Sequence, residues 1–276
     1  MNAMIKLVVC IKQVPMVSEL PWDARTGTLK RELAEGMLNP ACSHALEAAL
    51  QVKEKHGGYI SVMTMGPPMA EEVLREAIAL GADRGILLTD PRMAGADTFV
   101  TSYILARAIE KMCPDFDLVF CGCHSSDSET AQVGPQLSEE LNIPGAANVE
   151  KLDLSGRTLR IQRLSDNFLE TLEFELPGLI TLTTQHYEPR YVSLSGMQQA
   201  FEHGEVAIVH AADLGLDPEF TSRKNSPTRI LDVFSPVAQN KNLVMKGAPK
   251  KIVEQLFEKF DDKIGGAIGK DLKQTT

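Results

Sequence analysis

Residues 118–136 read Leu-Val-Phe-Cys-Gly-Cys-His-Ser-Ser-Asp-Ser-Glu-Thr-Ala-Gln-Val-Gly-Pro-Gln, and this stretch decides the fold class. The first four residues are an apolar run typical of a strand that is buried on both faces. A polar loop follows, and residues 137–141 continue a helical pattern. Parallel α/β sheets hold nucleotides at this succession of strand, loop and helix start, where backbone N–H groups face an anion. The stretch therefore predicts a nucleotide site at the carboxyl edge of a parallel sheet.

The acidic residues of this loop allow a second interpretation. Asp127 or Ser128 could be the N-cap of a helix that begins near Glu129, with no ligand involved. A carboxylate aimed at a phosphate would repel it. We therefore expect Asp127 to accept a hydrogen bond from a ribose hydroxyl or to cap the helix, while the N–H groups of residues 130–133 face the phosphate.

The chain before this loop alternates strands with helices. Apolar, β-branched runs at 5–11, 59–65 and 85–89 predict three further strands. Helices are predicted after Asn39-Pro40, where Asn stands as N-cap and Pro at the first helical position, after 66–68, and over 97–112. This order predicts a Rossmann-like α/β fold, a parallel sheet with helices on both faces. The strand ends near Cys10, Met65 and Gly122 should meet at one edge.

The pattern changes after residue 144. Strands are predicted at 149–154, 159–164, 169–176 and 179–183, with a hairpin turn at Ser155-Gly156, so antiparallel or mixed strands should extend the sheet. We expect one nucleotide-binding domain over residues 1–203 and a C-terminal arm over 204–276, whose amphipathic helix at 249–260 packs on a partner subunit. The alternative is that this helix folds back on its own domain.

Composition excludes several classes of protein. A net charge of -9 and 5% aromatic residues argue against nucleic-acid binding. No apolar run approaches the roughly 20 residues that span a bilayer, so no membrane insertion is expected. The five cysteines are an odd number and no signal peptide is visible, which predicts a reducing, cytoplasmic or equivalent compartment. Cys121-Gly122-Cys123-His124 is short of a metal ligand set, and no metal is predicted.

Sequence motifs for other nucleotide-handling enzymes are missing. There is no GxGxxG, no GxxxxGK[ST] and no GxSxG, which argues against a dehydrogenase, a P-loop NTPase and a serine hydrolase. His124, Ser125, Ser126 and Asp127 are neighbours on one loop and cannot easily converge as a triad. No catalytic residue is predicted.

The loop quoted above, together with other segments of the chain, resembles the β subunit of electron transfer flavoprotein. The resemblance covers nearly the whole length, and its motifs are specific only together. They are Leu-Val-Val-Cys-Ile-Lys-Gln-Val (7–14), Asn-Pro-Ala-Cys (39–42), Met-Gly-Pro (65–67), Ala-Leu-Gly-Ala-Asp-Arg-Gly (79–85), Thr-Ala-Gln-Val-Gly-Pro-Gln (130–136), Glu-Pro-Arg-Tyr (188–191), Ala-Asp-Leu-Gly-Leu-Asp-Pro (212–218) and a signature region over 161–181.

The resemblance implies a heterodimer with an α subunit that carries the redox FAD, while the β subunit binds AMP or, in bifurcating members, a second FAD. It implies an acyl-CoA dehydrogenase-type electron donor, as in fatty acid oxidation, a quinone oxidoreductase or another acceptor, and Leu194 as the residue that docks the donor. The nucleotide contacts that it implies are Cys10, Asn39, Pro40, Ala41, Cys42, Met65, Gly122, Cys123, His124, Ser125, Ser126, Asp127, Ser128, Glu129, Thr130, Ala131, Gln132 and Val133.

Two departures from the family pattern matter for function. Ser128 stands where the two-flavin branch usually has Gly, and Gln198-Gln199-Ala200-Phe201 replaces a run of Lys after Leu194. The first weighs against bifurcation, and the second suggests an unusual partner dehydrogenase. The competing hypotheses are a universal-stress-type ATP-binding module or other ATP-using protein, and a scaffold that binds AMP without redox chemistry.

Overall fold

The computed structural model describes residues 4–16, 22–23, 28–29, 35–216, 226–228, 231 and 243–271. The strands are β1 (Ile5–Cys10), β2 (Gln13–Pro15), β3 (Trp22–Asp23), β4 (Thr28–Leu29), β5 (Gly36–Leu38), β6 (Gly58–Met65), β7 (Arg84–Leu88), β8 (Leu118–Gly122), β9 (Gly145–Ser155), β10 (Thr158–Ser165), β11 (Phe168–Glu175), β12 (Gly178–Leu182) and β13 (Val206–Val209). The helices are α1 (Pro40–His56), α2 (Glu71–Leu80), α3 (Thr98–Met112), α4 (Val133–Glu140), α5 (Leu194–Glu202) and α6 (Pro249–Asp271).

A nine-stranded sheet organises the chain, in the order β11-β10-β9-β12-β8-β1-β6-β7-β13. In this spatial order, each pair of neighbours from β9 through β12 and β8 to β13 is parallel. Within this sheet, the pairs β9 with β10 and β10 with β11 are antiparallel. From β1 the chain adds β6 and β7 on one side, then returns to add β8 on the other. The order of the strands therefore reverses between β1 and β8, and the predicted fold class is confirmed.

Helices cover both faces of this sheet. Leu46 of α1 and Leu74 of α2 lie in one buried cluster with Val9 of β1. Ile104 of α3 and Leu137 of α4 lie in a second cluster, on the opposite face. Successive residues of a strand point to opposite faces, so a strand between two helical layers must be apolar at every position. The sequence of β1 meets this requirement from Leu7 to Cys10, and the exposed Lys6 stands near its amino end.

The antiparallel extension is the predicted mixed part of the sheet. Strands β9 and β10 join through Gly156 and Arg157, one residue later than the predicted turn Ser155-Gly156, and the φ of 63° at Gly156 suits a two-residue hairpin. Strands β10 and β11 join at Asp166 and Asn167, which both have positive φ. Asp and Asn tolerate this left-handed conformation better than other side chains, which accounts for Asn167 within the signature region.

The sheet continues past the predicted domain boundary at residues 203 and 204. Strand β13 pairs with β7 in parallel, with Ala207 opposite Ile86. Because β7 would otherwise present an open edge, these residues complete the sheet and do not begin the arm. The compact first unit extends to Asp232.

The second compact unit spans residues 233–276 and contains α6. The helical backbone is interrupted at Phe260, where the predicted helix was expected to end. Residues 217–225, 229–230, 232–242 and 272–276 lie outside the described part of the chain, and packing of the arm on a partner stays a prediction. Among the described helices, none is long and apolar enough to cross a membrane.

Candidate functional site

The candidate site is the crevice at the carboxyl ends of β1 and β8. These strands are neighbours in register, with Cys10 opposite Cys121, and their following segments leave toward opposite faces because the strand order reverses here. Parallel α/β sheets bind ligands at such a reversal. The amino end of α1 closes the crevice beside β8, since a side chain added at Gly122 would meet the backbone of Ala41.

The buried amide of Asn39 joins the segments around the crevice. Its Nδ2 donates to the His124 carbonyl at 2.8 Å and to Cys42 Sγ at 3.2 Å, and its Oδ1 accepts from the Ser126 N–H at 3.0 Å. Its backbone N–H donates to the Lys12 carbonyl at 2.9 Å. Asn39 occupies the predicted N-cap position of α1, but its side chain makes no capping bond and binds the loop after β8. One residue, 1% exposed, therefore connects the ends of β1, β8 and α1 through its side chain and its backbone N–H.

Lys12 crosses the crevice to Asp127. Its Nζ lies 2.7 and 2.9 Å from the two carboxylate oxygens and donates to Ser125 Oγ at 3.2 Å. The Asp127 side chain is 3% exposed, and the Lys12 side chain is 37% exposed. The interpretation of Asp127 or Ser128 as an N-cap was wrong, because α4 begins at Val133. Lys12 was not among the residues predicted for the site, although its position just past β1 was a usable signal.

We expect Lys12→Met to destabilise the chain by about 2 kcal/mol, because the Asp127 carboxylate loses its nearest cation while remaining buried. The figure is below the range for fully buried pairs because the Lys12 side chain is partly solvated. Urea unfolding measures the change. In a double-mutant cycle, adding Asp127→Asn should restore most of the loss. Additive effects of the two substitutions would contradict a direct interaction.

The loop before α4 has the backbone geometry of an anion site. Ala131 has a φ of 55°, and Gln132 is right-handed with φ −100° and ψ −27°. Left- and right-handed residues in succession turn neighbouring N–H groups toward one point. The first N–H groups of α4 have no intrahelical acceptor and add the positive end of the helix dipole. Thr98 Oγ1 donates to Gln132 Oε1 at 2.9 Å, which ties the loop to α3.

Buried thiols lie beneath the crevice. A hydrogen bond with Cys10, followed by burial, raises the pKa of the Cys121 thiol. Burial raises the pKa of Cys42, and the hydrogen bond from Asn39 offsets only part of that effect. Thiols held neutral are poor nucleophiles and metal ligands. Among the described residues, no group of three or more His, Cys, Asp or Glu side chains is placed to hold a metal.

A hydrolytic triad is not assembled on the loop. The Asp127 carboxylate lies on Lys12, and Ser125 Oγ bonds Ser128 Oγ at 2.9 Å. The His124 ring contacts Cys123 Sγ through Nδ1 at 3.1 Å. A serine nucleophile needs an adjacent base that a third group orients. Here the aspartate, the serine and the histidine each contact some other side chain, so no such arrangement forms.

The other predicted site residues fall at two places. Met65 is half-buried at the end of β6, and Pro40 is exposed at the first position of α1. Leu194, 88% exposed, belongs to a different surface, where it begins α5. The structure therefore brings together the residues predicted for the nucleotide and places the predicted docking residue apart from them.

Arg190 anchors the segment before Leu194 to α1. Its Nε lies 2.8 Å and its Nη2 3.1 Å from the two carboxylate oxygens of Glu47, and its Nη1 lies 2.6 Å from Glu54 Oε1. Glu47 is 5% exposed. Paired contacts between a guanidinium and a carboxylate fix geometry as well as contributing energy. The exposed residues that follow therefore start from a fixed point on α1.

The pH dependence of stability should reveal this ion pair. Burial raises the pKa of Glu47, but hydrogen bonds from Arg190 and Gln51 outweigh burial and leave the net pKa below its ordinary value. A depressed pKa contributes stability above the unfolded pKa, and this contribution is lost as pH falls through the folded pKa. We expect Glu47→Gln to cost about 1–2 kcal/mol at neutral pH and progressively less below pH about 4.

Urea unfolding at a series of pH values measures the cost. The matched control is Glu54→Gln, which removes the more exposed partner of Arg190 and should cost less at neutral pH. A cost for Glu47→Gln that does not change with pH would contradict the assignment.

The comparisons with known proteins agree with this architecture. The model of the electron transfer flavoprotein domain matches residues 26–214. The chain is 40% identical over 257 residues to the electron transfer flavoprotein subunit beta of Thermoanaerobacterium thermosaccharolyticum, covering 93% of this chain and 98% of that protein. It is 38% identical over 260 residues to CarD, a subunit of the caffeyl-CoA reductase-Etf complex of Acetobacterium woodii, covering 94% and 98%.

A third relative is the acryloyl-CoA reductase electron transfer subunit gamma of Anaerotignum propionicum. It is 35% identical over 263 residues, which cover 94% of this chain and 98% of that protein. The family model matches well over half of the chain, and each of these relatives is matched over nearly its full length. This chain therefore belongs to the electron transfer flavoprotein β-subunit family.

Proposed function

We propose that this chain binds an adenine nucleotide in the crevice between β1 and β8, helps to hold the FAD of an α subunit, and docks an acyl-CoA dehydrogenase-type flavoenzyme from which electrons pass to the FAD. The observation that supports it most is the hydrogen-bonding of Asn39, which holds the loop after β8 against the amino end of α1. A loop that one buried side chain holds in a fixed position can bind a ligand with little ordering cost.

Different residues of the crevice have different roles in binding an adenylate. The N–H groups of 130–133 and the amino end of α4 receive the phosphate. Lys12 balances the charge of Asp127, so that this carboxylate does not repel the anion. The buried hydroxyl of Thr64, next to the last residue of β6, has no hydrogen-bond partner among the described residues.

The flavin supplies the redox chemistry, and this chain makes or breaks no covalent bond. Its residues bind and orient the cofactors and shield them from solvent. Two relatives carry names that place them with caffeyl-CoA and acryloyl-CoA reductases, and we infer from them a partner that oxidises or reduces an acyl-CoA. The electrons leave to a quinone oxidoreductase or another acceptor.

The proposal leaves two alternatives for the nucleotide in the crevice, which are AMP and a second, NADH-reactive FAD. The test is to purify the heterodimer, record its visible spectrum and identify the released nucleotide. AMP with about one FAD per heterodimer supports the ordinary carrier. About two FAD and no AMP supports a bifurcating subunit. A colourless protein that hydrolyses ATP would overturn the proposal in favour of an ATP-using module.

Leu194→Ala should slow electron transfer from the dehydrogenase about tenfold and leave the flavin content unchanged. The reason is that Leu194 exposes 88% of its surface, so its truncation removes partner contact without opening the core. Stopped-flow reduction of the heterodimer measures the rate, and flavin absorbance measures occupancy. Loss of flavin with an unchanged rate per bound flavin would count against a docking role.

A further inference from the structure

Residues 226–228 are anchored at the amino end of α3. The Asp97 N–H donates to Ser226 Oγ at 3.0 Å, and Asp97 Oδ2 accepts from the Thr228 N–H at 3.0 Å and from Thr228 Oγ1 at 2.7 Å. Ser226 is 4% exposed. Hydrogen bonds to an ionised carboxylate are stronger than bonds between neutral groups. This short segment is therefore fixed to a helix that begins 128 residues before it in the sequence.

Asp97 also fixes the first turn of α3. Its Oδ1 accepts from the Val100 N–H at 3.0 Å, which makes Asp97 the N-cap of the helix. Burial raises the pKa of Asp97, but hydrogen bonds from Val100 and Thr228 outweigh burial and leave the net pKa below its ordinary value. One ionised carboxylate therefore bonds the helix turn with one oxygen and residues 226–228 with the other.

The next residue of the same turn holds the loop before α4. Thr98 Oγ1 donates to Gln132 Oε1 at 2.9 Å. Gln132 follows Ala131, whose positive φ helps to turn the N–H groups of this loop toward one point. Neighbouring residues of one helix turn thus bond two segments that are distant in the sequence. The segment 226–228 and the loop proposed for the phosphate therefore share a single support.

We propose that the amino end of α3 couples nucleotide binding in the crevice to the anchoring of residues 226–228, with Asp97 and Thr98 as positioning residues. This inference rests on the proposed function, because it takes residues 130–133 as the phosphate loop. A ligand that fixes this loop also fixes Gln132 and, through Thr98, the turn that Asp97 caps.

Coupling between two sites is reciprocal. The factor by which a nucleotide strengthens the hold on residues 226–228 is the factor by which that hold strengthens nucleotide binding. These residues lead toward the second compact unit, which begins at residue 233. The nucleotide in the crevice therefore influences how firmly the chain is held before it enters that unit.

Nucleotide titration calorimetry of the heterodimer tests the coupling, with AMP and FAD as separate probes added after the bound nucleotide has been removed. Ser226→Ala changes no residue proposed for the nucleotide, but it removes the acceptor of the Asp97 N–H. It should raise the Kd of the probe that binds about threefold.

Thr98→Val should also raise this Kd about threefold, because Gln132 loses its donor. Adding Ser226→Ala to Thr98→Val should then cause little further change, since the connection is already broken. The matched control is Thr101→Val, which makes the same substitution further along α3. Thr101 has no hydrogen bond to residues 130–133 among the described residues, and its substitution should leave the Kd unchanged.

Hydrogen exchange measures the reciprocal effect. The Thr228 amide of the unaltered heterodimer should exchange about fivefold more slowly when the nucleotide is saturating. Thr98→Val should abolish this response to nucleotide, and Thr101→Val should keep it. An exchange rate that does not respond to nucleotide in the unaltered protein would overturn the coupling.

The remaining outcomes separate this inference from the proposed function. If neither AMP nor FAD binds, the proposed function fails and the inference fails with it. If one of them binds and Ser226→Ala leaves its Kd unchanged, nucleotide binding stands and the coupling is overturned. Should Thr98→Val not fold, the Kd of Ser226→Ala and the exchange of the Thr228 amide still decide, because neither measurement needs that variant.

Discussion

Replacing Asn39 with alanine should destabilise the chain by about 3 kcal/mol and empty the crevice of nucleotide. The substitution leaves the Ser126 N–H and the His124 carbonyl without the amide that satisfies both of them. Each buried polar group that loses its partner costs about 1–3 kcal/mol. The loop after β8 also loses its connection to α1, so the N–H groups that we propose bind the phosphate are no longer held in one place.

Urea unfolding and quantification of the nucleotide released from purified heterodimer measure the two effects. The matched control is Ser43→Ala, in the same first turn of α1, whose hydroxyl donates to the Asn39 carbonyl at 3.4 Å. This long bond should be worth less than about 1 kcal/mol. Full nucleotide occupancy in Asn39→Ala would show that the amide does not organise the site.

Gly122→Ala should be about as damaging, with a loss of about 3 kcal/mol in the free energy of unfolding. A Cβ at this position would lie 2.7 Å from the Ala41 carbonyl carbon and 2.8 Å from the Cys42 nitrogen. Both are backbone atoms of α1, which cannot rotate away as a side chain would. Forcing extra atoms into a packed contact costs about 1–3 kcal/mol, and here the helix itself must move.

The control for this effect is Gly156→Ala, because Gly156 has φ 63° and open space around the added Cβ. It should lose only about 1 kcal/mol, from the left-handed backbone. We expect Gly122→Ala also to lower nucleotide occupancy, since α1 borders the crevice. Equal losses of stability in the two variants would contradict the steric explanation. If Gly122→Ala does not fold at room temperature, limited proteolysis of both variants at low temperature keeps the comparison measurable.

Hydrophobic patterning was enough to predict eight of the nine strands of the large sheet. Continuous apolar runs such as β1 and β8 identified strands covered on both faces, and the alternation with helices required parallel pairing. The turn at Gly156 followed from a local rule about glycine. The convergence of Cys10, Met65 and Gly122 at one edge then followed from topology alone.

Side-chain partners at the crevice could not be predicted in the same way. Asn at an N-cap position ordinarily bonds its own helix, yet Asn39 bonds a loop 85 residues away, because that loop has no regular structure to satisfy its own polar groups. Asp127 pairs with Lys12 across 115 residues. Strand β13 has only four residues, too few for a clear pattern. Its position in the sheet follows only from the edge of β7, with which it pairs.

The seventeen residues of α1 connect two tasks that lie far apart in the sequence. Its first turn borders the crevice. Glu47 lies about 10 Å from the first residue of the helix along the axis, at 1.5 Å per residue, and holds Arg190 and the segment leading to Leu194. A helix of this length behaves as a stiff rod. If the proposed nucleotide and partner sites are correct, a tilt of α1 that accommodates a bulkier nucleotide also moves the segment leading to Leu194. A relative with a different nucleotide is then expected to differ in its redox partner as well.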